Sequence, residues 1–165
     1  MSFAPTNPII GLQPIAEVSS TQQHPLGMIV QAYDETYGAG EFVYLKGVAS
    51  TVVGSAVTYN MDDGTTALLA ANAIGPVAVA MSANVASQYG WYQIGGKAVG
   101  KALASYADNG LVYATATAGS VDDAVVAGDR VKLAKGDLLT TVSSYGFDTS
   151  TATAHSSLNL AMAKS

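Results

Sequence analysis

The stretch EFVYLKGV, residues 41–48, decides the fold class of this chain. Aromatic and aliphatic side chains alternate along it with the period of two that is typical of a β-strand. We expect one face to carry Phe42, Tyr44 and Lys46, and the other Val43, Leu45 and Gly47.

Similar short runs rich in Val, Tyr, Thr and Ile follow and precede this stretch, separated by Gly, Asn, Asp and Ser. They are LGMIVQAY (26–33), SAVTYN (55–60), PVAVAMS (76–82), GWYQIGG (90–96), GLVYATATA (110–118), DRVKLAK (129–135) and DLLTTVSSYGF (137–147). Regularly spaced short strands with turn residues between them are typical of sandwiches and barrels. The sequence therefore predicts an all-β fold, either a jelly-roll-like sandwich or a β-barrel, with residues 26–165 as a single β-domain.

The first 25 residues have a different composition, because four of the five prolines lie there. Proline fixes φ and biases the preceding residue towards extended conformations. Residues 1–25 are therefore predicted to form an extended N-terminal arm without helices or a strand ladder of its own. The arm also carries apolar side chains that a fully solvated tail would not need, so it should dock either on a partner or back on its own domain.

Composition excludes several function classes. The chain has 165 residues, a net charge of -5 and only seven Lys and Arg, so no basic stripe is available for nucleic acid. It has no Cys, which leaves no thiolate for catalysis or metal binding. Its N-terminus lacks the pattern of an export signal, and its longest apolar run, residues 67–81, is interrupted by Asn72, Gly75 and Pro76. We expect synthesis in the host cytoplasm and no membrane partner.

The segment WYQIGGKAVGKALAS, residues 91–105, matches seven of the eight positions of the phosphate-binding pattern G-x-x-x-x-G-K-[ST]. Ala102 stands where that loop needs a magnesium-binding hydroxyl. The flanking residues alternate like a strand, and Gly95-Gly96 fits a two-residue hairpin turn. We predict a turn here and no nucleotide cofactor.

Other catalytic constellations are also not expected. His24 lies in the arm and His155 in a Ser/Thr/Ala-rich segment, so neither has a rigid element to hold it beside a nucleophile. The acidic pairs Asp62-Asp63 and Asp122-Asp123 could be ligands for calcium or a carboxylate couple, but their neighbours are typical of ordinary polar turns. We predict no enzyme activity, no catalytic residue and no metal site.

The segments GEFVYLKGVAST, GSAVTYN, ALLAANAIGPVAVAMS, YGWYQIGGKAVGKA and VDDAVVAGDRV, between residues 38 and 135, resemble the small decoration, or cement, proteins of tailed bacteriophage heads. The resemblance implies a β-rich body, usually in three copies, seated on the outer surface of the virion where neighbouring capsomers meet. The implied partner is the major capsid protein. Residues 136–165 depart from the pattern of that family.

This resemblance gives two predicted contact surfaces. The capsid contact would be made by the apolar residues of the arm, which are Phe3, Ile9, Ile10, Leu12 and Ile15. A subunit contact in a homotrimer would be made by Tyr89, Trp91 and Tyr92. If those three aromatic side chains were instead free to stack on sugar rings, the chain would be a carbohydrate- or receptor-binding module of a phage fibre. In the capsid hypothesis, removal of residues 1–20 would leave a folded trimer that occupies particles poorly.

Overall fold

The computed structural model describes residues 2–6, 10–138 and 155–160, and every regular element in these ranges is a β-strand. The strands are β1 (Ala4–Pro5), β2 (Val18–Ser19), β3 (Ile29–Asp34), β4 (Gly38–Lys46), β5 (Ala56–Tyr59), β6 (Thr66–Leu68), β7 (Val77–Ala80), β8 (Tyr89–Lys101), β9 (Leu111–Ala114), β10 (Val121–Asp122), β11 (Arg130–Leu138) and β12 (His155–Leu160). All strand pairs are antiparallel, and the all-β prediction is confirmed.

Strands β4 and β8 form the centre of the molecule. They pair antiparallel from Gly40 opposite Gly96 to Lys46 opposite Tyr89, and β3 pairs with the other edge of β4. The alternation predicted for residues 41–48 is confirmed, because Phe42 and Tyr44 pack in one hydrophobic cluster and Val43 and Leu45 in another. Both faces of this strand pair are therefore buried.

The first cluster, here called the arm core, lies where the N-terminal segment covers β3, β4 and β8. Its buried members are Phe3, Ile15, Val30, Ala32, Phe42, Tyr44, Met81 and Trp91. The second cluster lies where β5, β6 and β7 cover the opposite face, and it includes Val57, Ala78 and Tyr92.

A third cluster fills the part of the domain built on the second half of β8. The sheet continues from β8 through β12, β11 and β9 to β10, and an isolated parallel bridge from Ala102 to Val121 returns it to the end of β8. Val112, Val121 and Ala98 are buried in this cluster. The packed antiparallel sheets are compatible with a β-sandwich, while the jelly-roll form stays a prediction.

Two short segments of the N-terminal arm pair with strands of the domain. Ala4 and Pro5 pair with Tyr33 and Ala32, and Val18 pairs with Gly90. Pro5 is tolerated because β1 pairs with β3 alone, so no second neighbouring strand needs the missing N–H. The N-terminal segment is therefore part of the domain.

The prediction of a hairpin turn at Gly95-Gly96 is wrong, since both residues lie inside β8. Glu41 pairs with Gly95 while Phe42 pairs with Gln93, so Ile94 is the extra residue of a β-bulge. Gly96 has a φ of 86°, and a Cβ there would collide with the carbonyl oxygen of Ala39. The segment up to Lys101 is extended and paired, so it has neither the loop nor the following helix that phosphate binding by this pattern needs.

Candidate functional site

The residues predicted to contact a capsid have different environments in the structure. Phe3 and Ile15 retain only 8% and 2% of their exposure and belong to the arm core, and half-buried Leu12 packs against them. Ile10 is fully exposed, and Ile9 lies outside the described residues. The capsid-contact prediction is therefore wrong for Phe3 and Ile15, because their side chains complete the core of their own domain.

Gln13 holds the N-terminal segment in place through both its backbone and its side chain. Its carbonyl oxygen accepts a hydrogen bond of 3.0 Å from Trp91 Nε1, and its Oε1 accepts one of 3.0 Å from the Tyr44 hydroxyl. Its backbone N–H donates to His24 Nε2 at 3.0 Å, and the His24 ring packs edge-on against Tyr44. His24 lies outside the strands, and these two contacts hold its ring between the arm and Tyr44.

The three aromatic residues proposed as a subunit contact or a sugar platform are not a surface. Trp91 and Tyr92 are completely buried, on opposite faces of β8, and Tyr89 is half-buried. Burial raises the pKa of the Tyr92 hydroxyl, as expected for a phenol removed from water. Both predictions are wrong for Trp91 and Tyr92, because neither side chain can reach a partner or a sugar without unfolding of the sheet.

One carboxylate of each acidic pair accepts hydrogen bonds that hold the surrounding turns. The Thr65 hydroxyl and backbone N–H both donate to Asp63 Oδ1, which lowers the pKa of that carboxyl group. Asp123 Oδ2 accepts a hydrogen bond from the Ala107 N–H. Within residues 2–6, 10–138 and 155–160, no group of three or more His, Asp or Glu side chains could hold a metal ion.

The candidate functional site is a pair of exposed apolar side chains on two loops, here called the apolar loop end. It consists of Met61 and Ile74, which are 74% and 98% exposed. Met61 and Ile74 line the same groove of about 410 Å³, together with Pro76. Isolated apolar side chains are common on protein surfaces, whereas neighbouring ones on separate loops indicate a contact surface.

Hydrogen bonds to two other segments fix the loop that carries Ile74. Asp129, which is 6% exposed, accepts a hydrogen bond of 2.6 Å from the backbone N–H of Asn72. Asn72 has a φ of 61°, a conformation that Asn tolerates better than most residues. The neighbouring Ala71 N–H donates to the Thr115 carbonyl at 3.0 Å. Ile74 is therefore presented to solvent by a loop whose base is anchored on both sides.

A second groove, of about 430 Å³, is also lined by Ile74. Its apolar part is formed by Leu69, Val77 and Val131, and its charged residues are Asp129, Arg130 and Lys132. We refer to it as the basic groove. Ile74 lines both grooves, so it forms the ridge between them.

Sequence reasoning missed this region, since it considered residues 67–81 as an apolar run, as part of the family resemblance and, from Pro76 onward, as a strand, but not as a surface loop. The available signal was Ile74 itself, an isolated large apolar residue between Asn72 and the Gly75-Pro76 turn. Turn residues on both sides predict a loop, and an Ile in a loop has no core to join.

Comparison with known proteins adds no family assignment: no family model, no curated protein and no solved structure matches the chain. Among the described residues, no helix has the length and apolar character needed to cross a membrane.

Proposed function

We propose that this protein is a capsid decoration protein, which binds the outer surface of a phage head and stabilises contacts between capsomers. The sequence resemblance between residues 38 and 135 supports this function, and so does a composition with only 12% charged residues. The proposed partner is the major capsid protein, the proposed assembly is a homotrimer on the virion, and the role is structural rather than enzymatic.

The main observation behind the proposal is that Ile74 is almost fully exposed although its loop is held in place by hydrogen bonds. Burying an Ile or Met side chain contributes about 1.5 to 3 kcal/mol. A loop already fixed by the Asp129–Asn72 hydrogen bond avoids most of the entropy loss that a flexible loop would suffer on docking. We therefore assign the capsid contact to the apolar loop end instead of the N-terminal arm.

Charges beside the apolar loop end indicate the character of the surface it would meet. Asp62 and Asp63 directly follow Met61 and are exposed, and the whole chain has a net charge of -5. Arg130 and Lys132 lie in the groove on the other side of Ile74, so electrostatic complementarity favours a capsid surface with an apolar depression, basic residues facing Met61 and acidic residues facing Ile74.

The test is binding of purified variants to heads assembled without the protein, measured by co-sedimentation. Ile74→Asp places a charge on the ridge and is expected to reduce occupancy at least tenfold. Ile10→Asp is the matched control, because Ile10 is equally exposed but lies in the arm. Both variants should keep the wild-type melting temperature, since neither side chain contributes to a core.

Loss of binding with Ile10→Asp and not with Ile74→Asp would return the capsid contact to the arm. Unchanged binding of both variants would remove the apolar loop end from the proposal. Light scattering during size-exclusion chromatography tests the assembly separately, and a homotrimer requires about three times the chain mass of 16.7 kDa.

A further inference from the structure

The basic groove has a charge pattern opposite to that of the whole chain. Arg130, the chain's one arginine, and Lys132 are exposed in its wall, and neither forms an ion pair with another described residue. Asp129 is the acidic residue of the lining, but it is buried and its carboxylate already accepts the Asn72 N–H. The groove therefore presents two exposed cationic side chains beside one buried carboxylate, which leaves its lining with a net positive charge.

The spacing of these cations follows from the strand that carries them. Arg130 and Lys132 are two residues apart on β11 and exposed, while Val131 between them is buried, so both side chains lie on the outer side of the strand. The register of β11 against β9 is irregular from Arg130 onward, and an undistorted strand would separate the two residues by roughly 6.6 Å. An extended peptide repeats its own side chains at the same interval. Carboxylates at positions i and i+2 of such a peptide can thus meet both cations, and an arginine binds one of them through two parallel hydrogen bonds.

The remaining lining determines the residue between those carboxylates. In an extended peptide the side chain at i+1 points to the opposite side. Leu69, Val77 and the ridge residue Ile74 supply apolar surface in the same groove. A groove of about 430 Å³ is near the lower end of the usual size of ligand sites, which suits a few side chains of a short segment.

We propose that the basic groove binds an extended peptide segment with the pattern acidic–apolar–acidic, contributed by a partner protein. Arg130 and Lys132 hold the two carboxylates, and the apolar side chain between them packs beside Ile74. This inference goes beyond the proposed function and does not require the partner to be a capsid protein.

The test uses the full chain, labelled with ¹⁵N, and two capped peptides. Ac-Gly-Asp-Leu-Glu-Gly-NH₂ carries the pattern, and Ac-Gly-Asn-Leu-Gln-Gly-NH₂ has the same shape without charge. We expect the acidic peptide to shift the amide resonances of residues 73–77 and 128–132, and the neutral peptide to bind at least tenfold more weakly. The double variant Arg130→Gln/Lys132→Gln should reduce affinity for the acidic peptide at least tenfold.

Lys97→Gln provides the matched control, because Lys97 is an exposed cation on β8 outside the groove. The affinity of the Lys97→Gln variant for the acidic peptide should stay within twofold of the wild-type value. Equal binding of the two peptides, shifts that map to other residues, or no shift at 5 mM peptide would each overturn the proposal. A loss with Lys97→Gln as large as that of the double variant would also overturn it, by showing that only overall charge matters. The co-sedimentation assay on heads is separate, so either proposal can fail alone.

Discussion

Substitution of Ile15 measures directly whether the N-terminal arm belongs to the folded core. Ile15 is 2% exposed and packs in the cluster that contains Phe42 and Trp91. Ile15→Ala removes its transfer free energy and leaves a cavity, which in well-packed cores lowers the free energy of unfolding by about 2 to 5 kcal/mol. That is a large part of the roughly 5 to 15 kcal/mol that stabilises an ordinary domain.

Urea unfolding followed by Trp91 fluorescence is the appropriate assay, because Trp91 is the only tryptophan and contacts the arm. With a denaturant slope near 2 kcal/mol/M, a loss of about 3 kcal/mol moves the midpoint down by roughly 1.5 M. Ile10→Ala is the control in the same segment, since a fully exposed side chain should change stability by less than about 0.5 kcal/mol.

Equal midpoints for Ile15→Ala and Ile10→Ala would refute the reasoning, because they would show that the arm does not contribute to the stability of the free protein. The same packing changes the expectation for removal of residues 1–20. Without them Trp91 Nε1 and the Tyr44 hydroxyl lose their acceptors on Gln13, so the truncated chain should be strongly destabilised instead of forming an intact body.

Three further predictions concern the bulge, the Gln13 contacts and a buried phenol. Gly96→Ala should lower the melting temperature by about 4 to 8 °C, because its φ is positive and the Ala39 carbonyl blocks a Cβ. Gly95→Ala, which meets only the movable Glu41 side chain, should cost less than about 1 kcal/mol. Gln13→Ala should cost about 1 to 3 kcal/mol, and Tyr44→Phe should cost less in that background than in the wild type; additive effects would contradict the Gln13–Tyr44 hydrogen bond. Burial raises the pKa of Tyr106 to about 12, so the stability it contributes is complete below about pH 10 and decreases as the pH rises towards 12. Urea midpoints from pH 8 to 12 should therefore fall less for Tyr106→Phe than for the wild type, and parallel falls would contradict this assignment.

Local sequence pattern predicted the strands well, because alternation depends on neighbouring residues. The run at residues 41–48 gave both the strand and the separation of Phe42 from Val43. It could not show what covers each face. Where β4 pairs with the first half of β8, neither face is open to solvent, since the arm lies over one face and β5 to β7 over the other, so Trp91 and Tyr92 are both buried.

The parts that sequence reasoning missed depend on residues far apart in the chain. Four prolines predicted an extended arm without a ladder of its own, but they could not show that β1 adds to the edge of β3, where the N–H that Pro5 lacks is not needed. The exposure of Ile74 is fixed by a hydrogen bond between Asn72 and Asp129, which are 57 residues apart. In the structure Glu41 pairs with Gly95 and Phe42 pairs with Gln93, so a β-bulge forms where a turn was predicted. The two glycines alone do not show this pairing.

The bond between Gln13 and Trp91 also sets the order in which the chain can fold as it is made. Its two residues are 78 positions apart, and ribosomes add roughly 5 to 20 residues per second, so about 4 to 16 s pass between their synthesis. During that interval Phe3 and Ile15 have no β8 to cover and remain accessible to chaperones. The segment translated first is thus among the last to reach its final position.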